Sequence, residues 1–236
     1  MLLDQAKGLA TRIGEYSRLK SSAGAAKEFE TRATMFGGAA QAVDTAKTSL
    51  DRLKAVEIAP DFVANGAAGL AAKATTLRDL LKEDPSKLAD PPFNLKYDFV
   101  DRVSSLCGAA NKAALAAWQA HIAKNSVMAS SEMLAALAAV PQYKPVVLRI
   151  GALKGQVATL AQSVPDDIAA GLAQLQSIME AYAAAWGEMI GDGIPKDVIA
   201  FLRAAAGEGA ALDQLTHEVR TWLEARGLLS LFRIKI

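Results

Sequence analysis

Residues Val146–Met189 read VVLRIGALKGQVATLAQSVPDDIAAGLAQLQSIMEAYAAAWGEM. Apolar side chains fall at Val146, Ile150, Leu153, Val157, Leu160 and Val164, and again at Ile168, Leu172, Leu175, Met179, Tyr182, Trp186 and Met189. The steps alternate between four and three residues in both runs. That is the spacing of a helix packed lengthwise on another helix. Pro165 separates the runs, followed by Asp166 and Asp167. Proline lacks the N–H that a helix interior needs, so it ends one helix and suits the first turn of the next. The two carboxylates then sit where the helix dipole favours negative charge. The stretch predicts two antiparallel helices joined at Pro165, with a coiled-coil-like seam.

Upstream, Leu2, Ala6, Leu9, Ile13 and Tyr16 keep the same rhythm. Ser21, Ser22 and Gly24 weaken it, and Phe29, Ala33, Phe36, Ala40 and Val43 restore it. Ala46, Leu50 and Leu53 continue after a slip of one residue. One long bent helix, or two in line, is expected over most of residues 2–57. Gly37-Gly38 costs roughly 2 kcal/mol against alanine in a helix interior. The pair marks a kink or a close approach by another helix. Pro60-Asp61 marks a turn, and Phe62 to Lys82 reads as a second helix. Asp84-Pro85 and Asp90-Pro91-Pro92 bracket an irregular stretch, because consecutive prolines exclude a helix. Tyr97 to Lys124 is a third helix, and Ser131 to Val140 a shorter one. The expected domains are a helical hairpin at 1–84, a linker at 85–95, a helical bundle at 96–193 and a compact module at 194–236.

The texture changes after Gly193. A short helix from Lys196 to Ala206, a Gly207-Glu208-Gly209 turn, a helical turn at Leu212–Leu215 and a helix from His217 to Arg226 follow in order. Leu228–Ile236 then alternates Leu231, Phe232, Ile234 and Ile236 with charged Arg233 and Lys235, as a strand does. Leu212–Leu229, LDQLTHEVRTWLEARGLL, resembles the second and third helices of a winged helix-turn-helix module. The resemblance covers about 40 residues, without an invariant motif. It implies DNA contact through His217, Arg220 and Arg226. Two features depart from it: the second strand of a wing is missing before Ile236, and six basic residues after Gly193 face five acidic ones. That balance leaves no strong phosphate-binding footprint.

Across 236 residues, 52% are apolar but only 6% aromatic, because alanine supplies much of the apolar total. Buried alanine removes little area from water, so the core is thin and a partner would help complete it. The Ala/Gly-rich texture suggests a bacterial source. A formal net charge of +1 provides no global field toward nucleic acid or an anionic membrane. Between Gly155 and Pro195 there is no lysine or arginine, and the five charges are Asp166, Asp167, Glu180, Glu188 and Asp192. Either a basic partner uses this face, or neighbouring helices supply the counter-charges. Leu231, Phe232 and Ile234 form a second candidate contact, since a tail this apolar should be docked. Cys107 is the only cysteine, which fits a reducing, cytoplasmic compartment. Met1–Gln5 carries no apolar signal core, and no run reaches the length of a membrane span without charge or amide.

Catalytic constellations are absent by count and spacing. Two histidines, His121 and His217, and one cysteine do not make a His/Cys zinc site. Gly207-x-Gly209-x-x-Leu212 fails the dinucleotide pattern, and no Walker sequence occurs. No cofactor or metal is expected. The fold expected is all-α: elongated antiparallel hairpins in a coiled-coil-like bundle, with a small winged-helix-like module ending in a strand. The function expected is a non-enzymatic structural or adaptor subunit of a bacterial cytoplasmic complex, bound to protein partners or to itself. One alternative is a DNA-associated regulator or defence-complex component, and another a helical protein acting on membranes.

Overall fold

The structure is a computed structural model, and it describes residues 2–83, 91–138, 141–189, 195–206 and 209–229, with their side chains from residue 26 onward except at 136, 142 and 206. The fold is all-α, and no strand occurs among the described residues. The α-helices are α1 (Leu2–Ala55), α2 (Ala67–Glu83), α3 (Asp101–Asn125), α4 (Ser131–Ala138), α5 (Lys144–Leu160), α6 (Ile168–Glu188), α7 (Lys196–Ala206) and α8 (His217–Glu224). The chain forms two compact units. Unit 1 is Met1–Asp51 with Phe62–Ala113, and unit 2 is Arg52–Asp61 with Ala114–Ile236. These divisions fall within α1, within α3 and in the turn after α1.

Unit 1 is built on α1, which runs helical through Ser21, Ser22, Gly24, Gly37 and Gly38. A Cβ at Gly37 or Gly38 would meet nothing within 4 Å, so nothing in this unit requires glycine there. The second helix starts at Ala67, not at Phe62. Gly66 has φ +83°, and the Asn65 N–H donates to Val63 O, so the chain turns before α2 begins. Leu95–Val100 is one π-helical turn leading into α3. Asn94 caps it: its side chain accepts from Tyr97 N–H, and its own N–H donates to Asp98 Oδ2. The buried cluster is Ala39, Ala46, Leu77, Phe99, Val103, Cys107 and Ala110. Three of these seven are alanine, while Phe29, Phe36, Phe62 and Phe93 stay only partly buried around them. The apolar interior is thin, as the composition implies.

Unit 2 holds the larger apolar side chains. α5 packs on α6 and on α4. An ion pair joins Arg149 near the start of α5 to Glu188 at the end of α6, so the two helices run antiparallel. α5 buries Val146, Val147, Ile150, Leu153 and Val157. α6 buries Ile168, Gly171, Leu175, Ile178, Tyr182, Ala185 and Trp186, with Met189 just beyond its end. Its inward stripe therefore uses Gly171 and Ile178 where Leu172 and Met179 are expected; those two are only half-buried. Close packing selects the small residue. A Cβ at Gly171 would lie 2.7 Å from Pro165 Cγ and 3.3 Å from Trp118 Cη2. The proline ring cannot swing away, so Gly171→Ala is expected to cost about 1–3 kcal/mol by overpacking. Chemical denaturation of this variant beside Gly187→Ala checks it, because Gly187 has open space at its Cβ. Equal midpoints would disprove the close contact.

The ends of these helices explain why they stop. α1 ends with Glu57 at φ 62°, with Glu57 N–H donating to Lys54 O and Ile58 N–H to Leu53 O. α8 ends with Gly227 at φ +67°, with Gly227 N–H donating to Glu224 O and Leu228 N–H to Leu223 O. Both are Schellman closures, and both bring a buried apolar pair together, Leu53 with Ile58 and Leu223 with Leu228. This corrects the strand expected over Leu228–Ile236 at its start: Leu228 is the closing residue of a helix. Residues 230–236, including Leu231, Phe232 and Ile234, lie outside the described residues. α7 packs on α8 and on the 3-10 turn Leu212–Gln214. Val198, Ile199, Phe201 and Leu202 are buried on α7, and Val219, Trp222 and Leu223 on α8. Thr216 caps α8 by accepting from Val219 N–H.

Candidate functional site

The acidic residues of the α5–α6 region have local partners. Asp167 caps α6, its Oδ1 accepting from Ala170 N–H at 3.0 Å. Asp166 is fully exposed and lies 3.6 Å from Arg52. Glu188 pairs with Arg149, and Glu180 accepts from Gln176 Nε2 one helical turn away. The four carboxylates are distributed over both ends and the middle of α6. They converge on no common point, and Arg52 and Arg149 supply charge from outside the cation-free stretch.

The basic candidates on α8 are also engaged. Arg220 Nε donates to Glu224 Oε1 at 2.8 Å. The Arg226 guanidinium lies 4.1 Å from the Trp222 ring centroid, and its Nη1 reaches Trp222 O. His217 is exposed in the first turn of α8. His217, Thr221, Trp222 and Arg226 line a shallow, open depression of about 490 Å³ together with Pro195.

Other reactive groups have structural surroundings. His121 stacks on Trp118 with rings 7° from parallel. Burial pushes the Cys107 thiol above its ordinary range, which disfavours the nucleophilic thiolate. Glu132, in the first turn of α4, is held below the usual carboxylate range by a backbone N–H, then by the Ser130 hydroxyl, with Lys154 adding attraction. No group of three His, Cys, Asp or Glu side chains suited to a metal occurs among the described residues.

A different feature stands out in unit 1. α1 and α2 flank an apolar groove of about 520 Å³ lined by Phe29, Ala33, Phe36, Ala74, Leu77, Leu81 and Phe99, with Arg32 and Arg78 at its edges. Phe36 meets Phe99 edge-to-face at 6.2 Å, and Leu77 and Phe99 are buried at the base. Leu81 is 50% exposed, and Ala33 and Ala74 are also exposed. Leu77 and Leu81 are one turn apart, as are Phe29 and Ala33, so each helix presents an apolar stripe. The stripe on α1 was readable in the sequence. That the described residues leave it partly exposed was not, because spacing reveals an apolar face and not what lies against it.

No protein-family model matches the chain, and no curated protein or solved structure matches it. No helix of the described residues is long and apolar enough to cross a membrane.

Proposed function

We propose that the protein is a non-enzymatic structural or adaptor subunit of a multiprotein complex, bacterial by its Ala/Gly-rich texture and cytoplasmic by its single cysteine. It binds a helical partner along the groove between α1 and α2. One observation carries this reading: the groove leaves Phe29, Phe36 and Leu81 partly in water above a buried cluster in which three of seven residues are alanine. Full burial of a Leu or Phe side chain is worth about 1.5–3 kcal/mol, so covering these residues is a real driving force. An amphipathic helix laid in an apolar groove is a recurrent recognition mode. The α5–α6 seam and the α7–α8 region, read from the sequence as a winged-helix-like module, then serve as a scaffold. The apolar run Leu231, Phe232 and Ile234 is proposed, from sequence alone, as a second contact. The DNA-associated alternative has less support, because Arg220 is paired with Glu224 and Arg226 is stacked on Trp222.

The test uses the tagged full chain and Leu81→Glu, purified from the native host after mild cross-linking. Leu81 is half exposed, so the variant is expected to keep its helix content. The wild type is expected to retain a defined set of proteins that Leu81→Glu loses. Retention of the same set by the variant would overturn the groove as the binding surface.

A further inference from the structure

We draw no further inference here: the strongest candidate, the cleft of about 580 Å³ beside the first turn of α2 lined by Gly66, Gly69, Lys73, Asp98 and Arg102, rests on a helix N-terminus and an exposed arginine, and no second feature of the structure points to a ligand there.

Discussion

Trp186→Ala is expected to destabilise unit 2 by about 3–5 kcal/mol. Trp186 is 1% exposed on α6, where Ala185 and Met189 are also buried. Its ring meets Tyr182 edge-to-face at 6.2 Å, and Tyr182 is tied in turn to Ala129 N–H, which donates to its hydroxyl at 2.9 Å. Truncation removes the largest side chain of the α6 stripe and leaves a cavity in the packed interior. The Trp186 Nε1–H has no acceptor among the described residues. An unpaired buried donor costs about 1–3 kcal/mol, so Trp186→Phe deletes a penalty along with some apolar area. It is expected to cost much less than the alanine change. Urea titration followed by far-ultraviolet circular dichroism measures both. An alanine variant within a few tenths of a kcal/mol of wild type, the range of surface sites, would refute the burial.

The helical class and most helix positions were legible because period and punctuation act locally. Asp167 and Gly227 act within one turn of where they sit, and the structure uses each at a helix terminus; α5 stops at Leu160 and α6 opens after Asp167, so Pro165 lies in the connection and is the end of neither helix. Three features were not legible, each for a tertiary reason. The inward register of α6 is set by Pro165 and Trp118 pressing on Gly171, and hydropathy alone prefers Leu172. The late start of α2 depends on Gly66 adopting positive φ, which spacing does not encode. The counter-charges for Asp166 and Glu188 come from Arg52 and Arg149, the first more than a hundred residues away in sequence. The groove belongs to the same group. Phe29, Phe36 and Leu81 look like core residues in the sequence, and only their neighbours show that the core stops short of covering them.

The two units divide these roles by side-chain size. Unit 2 buries Trp118, Trp186, Tyr143 and Phe201 almost completely. Among the described side chains of unit 1 the buried aromatic is Phe99, and the other phenylalanines remain partly in water. Burial free energy scales with apolar area, so substitutions at a comparable level of exposure cost more in unit 2.

Trp118→Ala is expected to match or exceed the Trp186 effect, because Trp118 combines packing with a hydrogen bond. It is fully buried on α3, and its Nε1 donates to Leu160 O at 2.9 Å. Leu160 is the last residue of α5, so its carbonyl is one of the groups that a helix end leaves without an internal partner. Gln119 Nε2 satisfies the next carbonyl, Ala161 O, at 3.1 Å. Adjacent side chains of α3 thus cap the end of α5, and the Trp118 ring also closes on Gly171 of α6. Truncation to alanine removes ring volume, the capping bond and the wall of that close contact together. A loss of about 3–5 kcal/mol follows from the ring alone. Trp118→Phe separates the terms: it keeps most of the ring but strips the donor from a carbonyl at a helix end, at a cost of about 1–3 kcal/mol. Trp118→Phe should therefore be clearly more harmful than Trp186→Phe, although both remove an indole N–H. Equal effects of the two phenylalanine variants in urea titration would mean that the Trp118–Leu160 bond contributes nothing to holding α3 against the end of α5.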